Sequence, residues 1–228
     1  MIDWHSHILP ELDDGSRNAE QSLAMLASLR DQGIKLVVAT PHFQANEESV
    51  QSFLERREAS FKKLSEKLTN DLPKLVCGAE VEYFPGISQM TDIDKLKIGE
   101  TDFLLIEMPM DRWADSTIKE LIDIASSRDL IIAHMERYMD MQTKGALERI
   151  FESGIFVQVN SIFFKRGYGR KKAIKLLRDG KIHFIGTDCH DLKIRPPQIF
   201  FAYETIRKKL GEEFLFGMNE YGRSVFDI

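Results

Sequence analysis

Short apolar runs, each too brief for a helix, alternate with amphipathic stretches along this chain, and that alternation limits its fold more than any other feature. The runs cover residues 2–5, 35–39, 75–81, 103–106, 130–133, 155–159 and 181–186. They are rich in Val, Ile, Leu and Phe and read as strands buried on both faces, as in a parallel sheet. Helical spacing of apolar residues marks 18–32, 47–70, 116–127, 142–153, 170–179 and 198–210 between and after them. Helices so placed cross over between parallel strands. Seven such units in about 210 residues predict a barrel close to the (β/α)8 type. A doubly wound open sheet is the alternative. It would carry a Gly-rich turn after an early strand, and His-Ser-His-Ile-Leu-Pro comes after the first run instead. Residues 84–100 fit neither pattern and are expected to form an irregular connection.

The 228 residues, 43% hydrophobic, suffice for one domain spanning 1–228. A net charge of −5 argues against a nucleic-acid partner, which calls for a basic face. The N-terminus lacks the basic and apolar regions of a signal peptide, and no run approaches the ~18–20 apolar residues of a membrane span. Two cysteines, Cys77 and Cys189, are too few for a disulfide framework. The expected location is the reducing cytoplasm, with no insertion into a membrane.

The polar residues at the C-terminal end of each run carry the chemistry. The first run ends in His5-Ser6-His7, the second in Thr40-Pro41-His42, and the third runs into Glu80. The fourth ends in Glu107, the fifth in His134, the sixth near Asn160 and the seventh in Asp188-Cys189-His190. In a barrel of parallel strands these ends share one rim, where active sites sit. A lone histidine at a strand end is more often a hydrogen-bonded structural residue than a ligand. Here five of the six histidines fall at such ends. Asp14, Glu80, Glu107 and Asp188 share the rim, and carboxylates crowded together repel unless cations relieve them. In His5-x-His7 both side chains point to one face, because strand side chains alternate; Asp188-x-His190 repeats the spacing. Nitrogen and oxygen donors without a thiolate suit manganese, iron or zinc. His183 lies within the seventh run and reads as structural.

Arg137 comes three residues after His134 and Arg195 five after His190. Any single arginine is more often an ordinary surface residue, but both of these loops leave the rim, and guanidinium matches phosphate oxygens bidentately. Lys165-Arg166 and Arg170-Lys171-Lys172 open the next helix, where cations oppose the helix dipole. They form either a solvated basic helix start or a collar that attracts an acidic phosphorylated segment.

The run IDWHSHILPELDDG, then in order ATPHF, GAEVEY, HMERY and TDCHDLKIRPP, resembles the bacterial protein-tyrosine phosphatases of the polymerase-and-histidinol-phosphatase superfamily, found in capsule and exopolysaccharide clusters. The likeness covers residue 1 to about residue 210. It implies a distorted (β/α)7 TIM-like barrel with three divalent metal ions, manganese foremost and iron or zinc as alternatives. Position by position, it implies that His5, His7, Glu80 and Asp188 hold one ion and that Asp14, His42 and His190 hold a second. Glu80, Glu107 and His134 would hold a third, with Glu80 bridging. Arg137 and Arg195 match the family's catalytic arginines. Met135 stands where the family usually has proline, and the stretch beyond Leu210 is not clearly matched. The implied substrate is a phosphotyrosine protein, a membrane-associated tyrosine autokinase of polysaccharide export.

The expected chemistry is attack on phosphorus by a metal-activated hydroxide, with both arginines neutralising the equatorial oxygens. Tyrosine, with a pKa of ~10, leaves with little protonation. Three other readings compete. A small-molecule phosphomonoesterase such as histidinol phosphatase shares the scaffold. A metal-dependent amidohydrolase shares the His-x-His opening but commonly uses a lysine where Glu107 stands. A metal-binding accessory module would show no turnover. Cys189 and Arg195 also fit the C-x5-R spacing of thiol-dependent tyrosine phosphatases. That loop has no glycine, contains Asp191 and runs into Pro196-Pro197, so the match is expected to be coincidental.

Overall fold

The computed structural model describes residues 1–165 and 167–227. Arg166, part of the basic stretch before the fifth helix, lies outside the described residues. Among the described residues nine strand segments pair in parallel throughout: β1 (Ile2–Ser6), β2 (Leu36–Ala39), β3 (His42–Phe43), β4 (Lys74–Cys77), β5 (Glu80–Glu82), β6 (Phe103–Glu107), β7 (Asp129–Ile132), β8 (Phe156–Asn160) and β9 (Phe184–Gly186). One sheet has the order β1-β2-β4, the other β3-β5-β6-β7-β8-β9. The chain passes from the first to the second twice, at Thr40-Pro41 and at Gly78-Ala79. Pro41 has no N–H to give a ladder, and Gly78 packs against Ile98, where a Cβ would meet a side-chain atom at 2.8 Å. The result is a curled parallel sheet. Ser6 bridges to Cys189, and the Asp188 N–H donates to the His5 carbonyl at 2.8 Å, so the β9 end returns to β1.

Helices α1 (Ala19–Asp31), α2 (Val50–Ser65), α3 (Asp115–Ala125), α4 (Lys144–Glu152), α5 (Gly167–Arg178) and α6 (Phe200–Leu210) form where the sequence predicts crossovers. Side chains of Asn18, Ser49 and Thr143 accept the N-terminal N–H groups of α1, α2 and α4. Alternate strand residues point to two cores. Val37, Leu104, Ile106, Val157 and Val159 pack with the helices, and Trp4, Val38, Phe103, Leu105 and Phe184 form a second cluster with Phe156 packed against it.

Several expected boundaries move. The third run is two segments, because Gly78-Ala79 interrupts it. The seventh begins at Phe184 rather than at 181, which leaves His183 before the strand; its Nδ1 accepts the Val157 N–H at 3.0 Å. The second helix starts at Val50, not at 47, where Ser49 supplies the cap. Residues 84–100 are irregular as expected, with two 3-10 turns, Ile87–Gln89 and Ile93–Leu96. A further helix, α7 (Glu212–Phe226), occupies the C-terminal stretch that the motifs did not reach. It lays Gly222 against Ile2 and Trp4, and its Phe226 ring lies 5.1 Å from Trp4. Its two glycines, Gly217 and Gly222, lower helix propensity and hid it. No helix among the described residues is long and apolar enough to cross a membrane.

Candidate metal centre

The strand ends converge on Glu80. Its carboxylate is 1% exposed, and its Oε2 lies 3.2 Å from His5 Nε2, 3.1 Å from His7 Nε2 and 3.2 Å from His42 Nδ1. Oε1 faces His134 Nε2 at 2.8 Å, and Glu107 Oε1 lies 3.3 Å from that same nitrogen. His5 and His7 bring their Nε2 atoms to 3.2 Å of each other. Asp188 Oδ1 stands 3.8 Å and 3.4 Å from them. Asp14 Oδ1 lies 3.1 Å from His190 Nε2 and 3.6 Å from His42 Nε2. Among the described residues three donor groups emerge: His5 with His7 and Glu80; His7 with Asp14, His42 and His190; and His42 with Glu80 and Glu107. His42 stands between two of them, with one ring nitrogen toward each.

The route by which these side chains meet differs in part from simple strand alternation. In β1, Asp3 pairs with Val37 and Ser6 with Ala39, so three steps oppose two. This bulge turns His5 toward the centre although Trp4 packs in the second core cluster. Asp188 and His190 do not alternate along a strand, as the spacing suggested. Both lie beyond β9, and Asp188 has φ +55°, while His134 has φ +30°. Non-glycine residues in this left-handed region cost about 1–3 kcal/mol each and cluster at functional sites.

The residues fit divalent cations on grounds the structure itself supplies. Two donors bound ~2.1 Å from one ion lie roughly 3.0–3.4 Å apart, which is the spacing of His5, His7 and Glu80. Glu80 Oε2 is buried with no hydrogen-bond partner, although three imidazole nitrogens surround it. Four rings also commit Nδ1 to a group outside the centre, which leaves Nε2 for a ligand. His5 Nδ1 faces the Gln158 carbonyl oxygen at 3.3 Å, His7 Nδ1–H donates to Asp13 at 2.7 Å, and His190 Nδ1–H donates to the Asp188 backbone carbonyl at 3.0 Å. His134 Nδ1 pairs with the Tyr138 hydroxyl at 3.0 Å, and that hydroxyl accepts the Met108 N–H. Electrostatics agree. Burial opposes charge at Glu80, yet His5, His134 and His7 hold it well below the usual carboxylate range. Burial likewise disfavours a charged His7, but Asp13, Asp188 and Glu80 raise it well above the usual range. His134 is pushed up to about 9 against its burial, by Glu107 and Glu80. The pocket calls for positive charge.

Arg137 and Arg195 meet at Asp188. An Arg137 amino group donates to Oδ2, and Arg195 Nη2 donates to Oδ1 at 2.5 Å while its Nη1 donates to His190 Nε2 at 2.8 Å. Both stay about one-third exposed at the rim. Of the other basic residues, Lys172 pairs with Asp140, and Lys165, Arg170 and Lys171 are exposed. Cys189 is buried among core residues, and its thiol is pushed well above the usual range, first by that burial. That burial disfavours a thiolate at this position.

Sequence reading missed Asp13, the first acid of the Asp-Asp-Gly triplet. One of its oxygens takes the His7 Nδ1–H and the His42 N–H, and the other takes the Gly15 N–H. Gly15 has no alternative here, since a Cβ would lie 2.3 Å from the His7 carbonyl oxygen. It also missed Gln158 and Tyr138. The signal available for Asp13 was its place in that triplet.

The CpsB/CapC family model, described as capsular polysaccharide synthesis, matches residues 1–219. The chain belongs to that family. Among curated relatives, the tyrosine-protein phosphatase CpsB of Streptococcus pneumoniae is 30% identical over 232 residues, covering 92% of this chain and 91% of that one. The tyrosine-protein phosphatase YwqE of Bacillus subtilis is 28% identical, covering 96% and 89%. A solved chain from the pair YwqE and CpsB, described as unique metal-dependent tyrosine phosphatases, superposes with TM-score 0.84 at 25% identity, over 99% of this chain and 94% of that one. The histidinol phosphate phosphatase of Lactococcus lactis reaches TM-score 0.53 at 12% identity, which speaks to the fold alone.

Proposed function

We propose that this chain is a metal-dependent protein-tyrosine phosphatase that uses the centre around Glu80 to hydrolyse phosphotyrosine. The observation that carries the reading is the buried, partner-less Glu80 oxygen ringed by His5, His7 and His42, with two rim arginines beside it, in a member of the CpsB/CapC family. His5, His7, Glu80 and Asp188 are assigned to one ion, Asp14, His42 and His190 to a second, and Glu80, Glu107 and His134 to a third. Manganese is the first candidate, with iron or zinc as alternatives. When bound, such ions polarise phosphoryl oxygens and lower the pKa of water toward ~7.

The chain's own residues do the rest. Arg137 and Arg195 swing from Asp188 to the equatorial phosphoryl oxygens and neutralise charge as it shifts in the transition state. Asp13 and Gln158 keep His7 and His5 turned toward the ions. A phenolate leaving group departs without a strong general acid. Two free cysteines support a reducing cytoplasm, and family membership supports a tyrosine autokinase of polysaccharide export as partner. With β2 and β3, and β4 and β5, taken as interrupted single strands, the barrel has the (β/α)7 form, in one domain.

The test is turnover of a phosphotyrosine peptide and of histidinol phosphate before and after removal of metal with a chelator. Peptide turnover that stops on chelation and returns with Mn²⁺ is the expected result. Full activity in metal-free protein would overturn the reading, and preference for histidinol phosphate would reassign the substrate.

A further inference from the structure

Strand β8 reaches the rim without supplying any of the assigned ligands, yet it carries two buried amides there. Its residues alternate: Val157 and Val159 pack with the helices, whereas Phe156, two residues before Gln158, packs against the second core cluster. Gln158 is 0% exposed and Asn160 4%, so their polar atoms need partners. Each has a specific one. Gln158 Oε1 accepts the His134 backbone N–H at 2.6 Å and faces His5 Nδ1 at 3.3 Å. Gln158 Nε2 donates to Asn160 Oδ1 at 3.0 Å, and Asn160 Nδ2 donates to Asp188 Oδ2 at 2.8 Å. The Asn160 backbone N–H donates to Glu136.

The polarity of this chain of bonds admits one arrangement. An oxygen that takes the His134 N–H must be the carbonyl oxygen of Gln158, so the amide nitrogen faces Asn160. Asn160 then presents oxygen to Gln158 and nitrogen to Asp188. His5 can meet a carbonyl oxygen only with Nδ1 protonated, so in the neutral ring that an ion requires Nε2 is bare toward Glu80. Gly186 pairs with Asn160 in the ladder and makes room for the contact. A Cβ there would lie 2.5 Å from His5 Cβ and 2.8 Å from Gln158 Nε2.

We propose that Gln158 and Asn160 are positioning residues of the metal centre, which fix the His5 tautomer and aim the Asp188 carboxylate without touching an ion. The proposal rests on the metal reading of the Glu80 centre. Loss of such outer contacts costs ~10–100-fold in metal affinity.

The test uses Gln158→Met and Asn160→Ala in the full chain. Gln142→Met serves as control, because Gln142 is a buried amide that bonds Trp113 and Asp111 away from the centre. Mn²⁺ affinity is read by competition with a fluorescent chelator, and the His5 tautomer by ¹⁵N shifts in the metal-free protein. Both test variants are expected to bind Mn²⁺ ~10–100-fold more weakly. Gln158→Met should also lose the Nδ1–H signature of His5, and Asn160→Ala should keep it. Should Gln158→Met fail to fold, Asn160→Ala decides. Wild-type affinity in the variants, or a loss no greater than in Gln142→Met, overturns the proposal alone. A wild-type protein that binds no divalent cation overturns it together with the metal reading.

Discussion

Replacing Asp13 with asparagine tests whether a residue that touches no proposed ion governs the centre. The Asp13 side chain is 7% exposed and accepts three N–H groups, from His7 Nδ1 at 2.7 Å, His42 N at 3.0 Å and Gly15 N at 2.9 Å. A carboxylate has acceptor sites for all three; an amide has one oxygen and an NH2 group. Whichever way the substituted amide turns, its NH2 opposes at least one N–H. If the oxygen keeps Gly15, the NH2 faces His7 and the ring must present a bare Nδ1. Its remaining proton then sits on Nε2, aimed at Glu80 and the ion. If the oxygen keeps His7, a neutral hydrogen bond replaces a charge-assisted one, and Gly15 loses its acceptor.

Hydrogen bonds to charged groups contribute ~1.5–3 kcal/mol, against ~1 kcal/mol for neutral ones. The difference, with one buried N–H left unpaired, corresponds to roughly 10–100-fold in Mn²⁺ affinity, since ~1.4 kcal/mol is a factor of ten. The assay is competitive Mn²⁺ titration of metal-free protein, with circular dichroism to establish the fold. The catalytic constant at saturating Mn²⁺ should recover to within a few-fold. A folded Asp13→Asn protein with wild-type Mn²⁺ affinity would refute the assignment of the His7 tautomer to Asp13.

Arg137→Ala and Arg195→Ala are each expected to lower kcat by ~10²–10³ while metal content stays near wild type; steady-state kinetics with metal analysis checks this, and metal loss would make that arginine structural. Cys189→Ser should keep most activity, and iodoacetamide should inhibit weakly where a chelator silences the enzyme; an inactive, folded, metal-loaded Cys189→Ser would refute the thiol-independent mechanism. His183 is held below its usual pKa by burial, so the unfolded chain takes up its proton first as pH falls. That contribution to stability is present above pH ~6.5 and fades below it. Denaturant titrations from pH 7.5 to 5 should therefore show a shallower fall for His183→Asn, and an unchanged slope would exclude His183 as a source.

The candidate site was more legible than the fold that holds it, for a physical reason. Imidazoles and carboxylates at the ends of apolar runs are costly to bury unless they serve together, so their coincidence could be read from one sequence. The spacing that suggested a shared face was only partly the cause. His5 and His7 meet through a bulge in β1, and Asp188 meets the centre through a left-handed backbone that no alternation rule contains. The strand break at Gly78 likewise depends on its packing against Ile98, which is tertiary information. Helix α7 escaped because Gly217 and Gly222 lower helix propensity, while its contacts with Ile2 and Trp4 supply the stability that propensity lacks.

The residues that sequence reading passed over share one property: each bonds a ligand rather than an ion. A ligand betrays itself by being polar at a strand end. A residue that orients a ligand needs only a carbonyl, a carboxylate or a phenol at the right distance, and Gln158, Asp13 and Tyr138 each offer a different one. Yet β8 did carry a trace. In Phe156-Val157-Gln158-Val159-Asn160 the apolar residues of one face continue unbroken while the other turns from aromatic to amide. In a strand buried on both faces, that change of polarity marks the depth at which the core gives way to the site. The same step occurs in β6, where Phe103 and Leu105 precede Glu107 on one face. Such half-strand transitions locate the floor of a barrel's active site from sequence, even where the residue at the transition binds nothing itself.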